Sequence, residues 1–228
     1  MSPSILLLGA TGASGLAFIQ VALSQPTPPK LTLYIRPGSR AKLPAGIETQ
    51  TRVVEGQLTD GDALREAMDG VDTVVSVLGA YPSLSGFLSR STSTPIADAF
   101  EGIIAAMRAT GATRIFALST QSFSPDPAET LSLKVWGYGL MPKILVPQGN
   151  AEMVGIGEAV AAASDLDWTV FRVPHLTDGA ADLPVFAGLL GPEYKGSLAL
   201  SRASLAAWIL KEMEERKWVK NAPVLGNY

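Results

Sequence analysis

From one end of the chain to the other, short apolar runs alternate with stretches whose apolar residues recur every three or four positions. The first run, residues 5–8, is uniformly apolar and too short for a helix, as a strand buried on both faces requires. Less uniform runs at 31–35, 52–55, 73–78, 114–119 and 168–172 predict further strands. Helical spacing predicts helices over 13–24, 63–68, 95–109, 148–163 and 204–215, with short strands at 197–200 and 223–225. Strands alternating with helices predict an α/β protein, a doubly wound parallel sheet with helices on both faces. The rhythm breaks over 120–147, a proline-punctuated stretch without periodicity. Loops leaving the carboxyl ends of strands line the crevice of such a sheet, so this stretch is either substrate-facing or a plain surface excursion.

The first strand runs into Gly9-Ala10-Thr11-Gly12-Ala13-Ser14-Gly15. Gly9 permits a tight turn, Gly12 lets the backbone approach a pyrophosphate, and Gly15 lets the helix pack closely on the strand. The helix start then presents N–H groups and a positive dipole end to the phosphates. Thr11 and Ser14 each offer a hydroxyl to them, with helix capping as the alternative for Ser14. A purely structural turn is the competing account of all three glycines.

At the end of the second strand, where a carboxylate would favour NAD, the chain carries Arg36, followed by Ser39, Arg40 and Lys42. Guanidinium groups suit a 2′-phosphate, so NADP(H) is the expected cofactor, a solvated basic loop being the alternative. After the third strand, Gln57 stands where an acid would contact the adenine, with Leu58 beside it. Leu78 and Gly79 close the fourth strand, where the chain would run beneath the cofactor ribose. Each is equally well an ordinary turn residue.

The 228 residues carry a net charge of −3 and are 47% apolar, enough for a folded core and without a basic run for nucleic acid. There is no cysteine and a single histidine, which excludes disulfides and thiolate chemistry and argues against a metal centre. No apolar run reaches the ~18 residues of a membrane span and no basic segment precedes the first strand, so a cytoplasmic protein is expected. One nucleotide-binding domain over 1–228 is expected, its substrate-facing parts at 120–147 and 174–200. The oligomeric state is not set by the sequence.

A tyrosine and lysine four apart on one helix, the usual reductase pair, do not occur; Tyr138 and Lys143 are five apart with glycine and proline between. Candidate groups for the reacting end are therefore Ser119 and Thr120 after the fifth strand, Tyr81 after the fourth, Tyr138, and His175 after the sixth with Pro174 before it. A structural histidine is the competing reading of His175.

The glycine turn, Arg36, Leu118-Ser119-Thr120 and Asp167-Trp168-Thr169-Val170-Phe171-Arg172-Val173-Pro174-His175 resemble the atypical short-chain dehydrogenase/reductases of the NAD(P)H-binding, NmrA-like group. The chain is similar to fungal oxidoreductases of the averufin-oxidase type, and more distantly to flavin reductases that also reduce biliverdin. The resemblance implies a Rossmann-like domain, with a hydroxyl at Ser119 or Thr120 and the ring of His175 at the nicotinamide. It implies hydride transfer to a small apolar carbonyl or quinone, in secondary metabolism. The aromatic and apolar residues of 131–146 suggest an aromatic ligand, or else core or oligomer contacts. Two other functions fit the same fold: a redox sensor that binds NADP(H) without turnover, and an isomerase or cyclase without net redox change.

Overall fold

The computed structural model describes residues 2–79, 93–126, 129 and 146–228. Its first strand, β1 (Ser4–Leu8), has Ile5, Leu6, Leu7 and Leu8 wholly buried, as its unbroken apolar run requires. Helix α1 (Ala13–Leu23), β2 (Lys30–Ile35), β3 (Thr51–Glu55), α2 (Gly61–Ala67) and β4 (Thr73–Ser76) follow, and Asp60 caps α2 by accepting the Ala63 N–H at 3.0 Å. Next come α3 (Pro95–Asp98), α4 (Phe100–Thr110), β5 (Arg114–Thr120), α5 (Pro147–Ala162) and β6 (Asp167–Val173). The chain ends with β7 (His175–Thr177), β8 (Val185–Gly188), β9 (Ala199–Ser201), α6 (Arg202–Glu215) and β10 (Val224–Asn227).

Eight strands form one sheet in the order β3-β2-β1-β4-β5-β6-β10-β8, parallel throughout except where β8 runs against β10. The order reverses between β1 and β4, which places the ligand crevice of this Rossmann-like sheet at their carboxyl ends. Helices α1 and α6 pack together, while α2, α4 and α5, with the short α3, form a second group.

Three features depart from the sequence-based expectation. The helix expected over 95–109 is broken at Ala99, and the buried carboxylate of Glu152 on α5 accepts the Ile96 and Ala97 N–H groups at 3.1 and 2.8 Å, satisfying the start of α3. Strands β7 and β8 were not expected. β7 pairs with β9 in a small separate sheet and β8 closes the edge of the main one, so both owe their form to distant partners.

The carboxyl end of the sheet is held by a buried charge pair. Arg172 on β6 is fully buried, and its Nε donates to the Ala222 carbonyl at 2.8 Å. Its guanidinium also donates to the Phe123 carbonyl at 2.9 Å and to both carboxylate oxygens of Glu129, at 2.7 Å to Oε2. Glu129 in turn accepts the Leu190 N–H at 2.9 Å and the Ser124 hydroxyl. The segment after β5, the one after β8 and the approach to β10 are thus fastened to one strand. Burial pushes the Glu129 carboxyl up, but the Arg172, Ser124 and Leu190 donors outweigh it and hold it below its ordinary value.

A carboxyl whose pKa is lowered by folding stabilises the fold above its unfolded pKa, and that contribution is lost as the pH falls through the folded value. Replacing Glu129 with Ala leaves a buried guanidinium without its counter-charge and costs about 3–5 kcal/mol at neutral pH. In urea melts, the gap between wild type and Glu129→Ala is widest at neutral pH and narrows in acid; a gap independent of pH is the contrary result.

Candidate cofactor and active site

At the crevice, β1 ends in a turn that only glycine fits. Gly9 has φ +86°, the Gly12 N–H closes onto its carbonyl at 3.0 Å, and a Cβ on Gly9 would sit 3.2 Å from the Val77 carbonyl and the Leu78 nitrogen. The strand end after β4 therefore lies directly against the turn. A Cβ on Gly15 would come within 2.2 Å of the Gly9 carbonyl oxygen, so α1 rests on the turn with no side chain between. Gly12 occupies the cap position of α1, and no side chain caps the helix. Ser14 lies inside the first turn, so capping is not its role, and the exposed Ala13 and half-buried Thr11, Gly12 and Ser14 ring an uncapped, positive helix start. That is a fitting seat for a diphosphate: a turn whose close backbone packing needs glycine at positions 9 and 15, ending in a helix start without a side-chain cap.

On the β2–β3 side, the buried Tyr34 hydroxyl donates to the Gln57 carbonyl at 2.8 Å and lies over Gly56, whose Cβ would be 2.2 Å from it. Burial, with the Asp60 charge, pushes the Tyr34 phenol up to about 12, so it stays a donor. This fixes the turn carrying the exposed Gln57 and the half-buried Leu58. The two arginines expected at the 2′-phosphate part company. Arg36 is exposed and its guanidinium has no partner among the described residues. Arg40 instead turns onto β3, pairing with Glu55 at 2.8 Å and Glu48 at 3.3 Å. The sequence reading placed Arg40 with the phosphate; its guanidinium is already claimed by two carboxylates, one of which closes the next strand.

On the β4–β5–β6 side, Leu78 and Gly79 are half-buried, and a Cβ on Gly79 would meet only Leu118 and the Met153 sulfur, both at 3.7 Å. The two hydroxyls at the end of β5 also divide. Ser119 is fully buried and donates to the Met153 carbonyl of α5 at 2.6 Å, so its hydroxyl serves packing and is not offered to a ligand. Thr120, in register with Val173, has its Oγ1 buried without a partner among the described residues. Pro174 is buried, and His175 is exposed on β7, two residues beyond Val173 and so just past the carboxyl end of β6. Tyr138 and Tyr81, and with them most of the apolar stretch 131–146, lie outside the described residues.

Two groups at this end have no signature in the sequence. Gln121 is buried with both amide atoms unpartnered among the described residues, and the Asn150 Oδ1 in the first turn of α5 is likewise unpaired. A single amide in a turn follows no spacing rule; only its position next to Thr120 could have drawn notice. No group of histidines and carboxylates among the described residues could hold a metal, and none of their helices is long and apolar enough to cross a membrane.

Comparison with known proteins bears on the fold and the family. No curated protein matches the chain. Among solved structures, a wide-type short-chain dehydrogenase/reductase from Veillonella parvula in complex with NADP is 18% identical, covering all of this chain and 95% of that one, with a TM-score of 0.74. The anaerobillin reductase ChuY from Escherichia coli O157:H7 is 20% identical over 98% of this chain and 97% of its own, TM-score 0.71. A candidate epimerase from Bacteroides thetaiotaomicron is 18% identical over 100% and 98%, TM-score 0.73. At these identities the likeness is one of fold. The NAD(P)H-binding family model matches residues 9–216, from the first glycine of the turn to the end of α6, and the chain belongs to that family.

Proposed function

We propose that this protein is an NADP(H)-dependent oxidoreductase that reduces a small, largely apolar carbonyl or quinone. The observation that carries the reading is the buried, unpartnered Thr120 hydroxyl at the carboxyl end of β5, across the switch point from an uncapped helix start. A buried hydroxyl without a partner is costly unless a ligand completes it. The resident reductases among the fold's neighbours support the same class of chemistry, and the NADP complex supports the cofactor.

Gly9, Gly12 and Gly15 with the start of α1 would hold the diphosphate, and Arg36 the 2′-phosphate. When bound, the reduced nicotinamide supplies the hydride. The chain's own work is then to orient the acceptor carbonyl and stabilise the negative charge that grows on its oxygen. Thr120 donates its hydroxyl proton as a hydrogen bond to that oxygen. His175, exposed just past the carboxyl end of β6, delivers a proton to it, with solvent as the other source. Ser119 and Arg40 have no part in this scheme, since their polar groups are engaged elsewhere.

Two measurements test the reading. Arg36→Ala weakens NADPH binding by about tenfold or more, the scale of a lost charge-assisted contact, and leaves NADH binding unchanged; equal loss for both nucleotides would place Arg36 away from the 2′-phosphate. Following NADPH consumption over a panel of quinones and aromatic ketones, Thr120→Val lowers kcat about a hundredfold with cofactor affinity intact. His175→Asn has the smaller effect, because water is the other source of that proton. Tight NADPH binding with no turnover across the panel would point to a sensor, and product formed without cofactor consumption to an isomerase.

A further inference from the structure

The unpartnered polar atoms at the carboxyl end of β5 form a pattern. Thr120 closes the strand, and the Phe123 N–H bonds back to its carbonyl at 3.1 Å, so Gln121 sits in the turn directly above. Gln121 is only 9% exposed, and neither its Oε1 nor its Nε2 has a partner among the described residues. The Phe123 ring lies on Gly157 of α5, where a Cβ would be 2.5 Å away, and Ser119 reaches Met153 on the same helix. Asn150, Met153 and Gly157 recur at helical spacing and share one face, the face toward β5. One turn before Met153, Asn150 therefore stands at the same end as Gln121, with its Oδ1 also buried and unpaired.

The donors and acceptors left open define what they would take. Gln121 offers an acceptor and a donor side by side in one plane, and the Asn150 Oδ1 can only accept. Among the buried charges on the neighbouring elements, Arg172 is cancelled by Glu129, and Glu152, two residues after Asn150, spends its carboxylate oxygens on the Ile96 and Ala97 N–H groups, so this corner holds no free positive charge for an anion. A carboxylate or phosphate would face two carbonyl oxygens and is disfavoured. The complement of a primary amide is a group with an N–H next to a carbonyl, which closes a ring of two hydrogen bonds, as in a lactam.

We propose that Gln121, seconded by Asn150, is the specificity-determining residue of the site and selects substrates bearing a neutral lactam or cis-amide edge beside the reducible carbonyl. This rests on the oxidoreductase reading for the carbonyl, not for the lactam. The nicotinamide carboxamide carries the same donor and acceptor pair, and the test separates the two.

Isatin has a ketone next to a lactam, and N-methylisatin is the same molecule without the N–H donor. The full chain saturated with NADP+ is titrated calorimetrically with each, and their KM values are measured with NADPH. Wild type binds isatin about tenfold more tightly than N-methylisatin, the scale of one buried hydrogen bond. Gln121→Leu, close to it in volume, brings the ratio to near one, and Gln121→Met does the same should the leucine variant fold poorly. NADPH affinity is unchanged in both. No preference in wild type, a preference that survives both variants, or binding of neither compound overturns the proposal. A matching loss of NADPH affinity also overturns it, assigning the amide to the cofactor's carboxamide. If both compounds bind but neither is reduced, the oxidoreductase reading fails while the binding ratio still decides the role of Gln121.

Discussion

The contact between Gly15 and the Gly9 carbonyl governs the rest of the molecule. A single methyl group on Gly15 would lie 2.2 Å from that oxygen and 2.7 Å from the Ala10 Cα, distances at which backbone must move. The gap is closed from the other side as well, since the chain leaving β4 comes to the 3.2 Å limit of Gly9. The start of α1, the end of β1 and the end of β4 are therefore one packed unit, set where the strand order reverses. The residues proposed above to touch a dinucleotide are then placed by counting strands outward. Arg36 and Gln57 leave β2 and β3 on one side; Thr120 and His175 end β5 and follow β6 on the other. A nucleotide bridged over the glycine turn spans the two sides.

Buried charge is distributed with the same asymmetry. At the amino end of β5, Arg114 lies 3.9 Å from Glu212, over the Phe116 ring, with its Nε unpartnered among the described residues. Burial lowers that guanidinium to about 10 and raises the Glu212 carboxyl, so the pair is loosely matched. At the carboxyl end, Arg172 and Glu129 meet through both carboxylate oxygens and satisfy carbonyls and an N–H from three separate segments. Pairs of this kind contribute little net stability, because desolvation offsets their attraction, yet breaking them is costly and they fix geometry. The rigid pair stands at the end of the sheet that carries the candidate site.

What could be read from the sequence follows from which interactions are local. The strands of the central sheet are buried on both faces, so Ile5–Leu8 and the runs like it need no partner to be recognised, and the glycine turn is set by the backbone alone. Elements made by distant pairing were invisible: β8 is half-buried along its length and exists through β10, and the break at Ala99 faces a carboxylate more than fifty residues later. Arg36 and Arg40 are indistinguishable in the sequence, since what separates them is Glu55 and Glu48 folding onto the second. Ser119 and Thr120 are equally hard to tell apart. Which of two adjacent hydroxyls is open depends on which face of β5 meets α5, and that is a tertiary fact.

The alternation along β5 and β6 ties these pieces into one argument about the reactive end. Ser119 and Arg172 are register partners and share a face of the sheet, where Met153, Gly157 and the Phe123 ring lie. Both spend their hydrogen bonds within the protein there, so at this register pair the face is structural. Thr120 and Val173, the next register pair, turn to the other side, and there the hydroxyl finds nothing among the described residues. Arg172 is therefore neutralised on the face it shares with Ser119, while the guanidinium of Arg36, without a partner among the described residues, lies two strands beyond β4. A ligand suited to this arrangement is anionic at the β2 side and neutral at the β5 side. That polarity suits a phosphorylated nucleotide with an uncharged far end, and it rests on strand parity and on the pairing of Arg40 and Arg172.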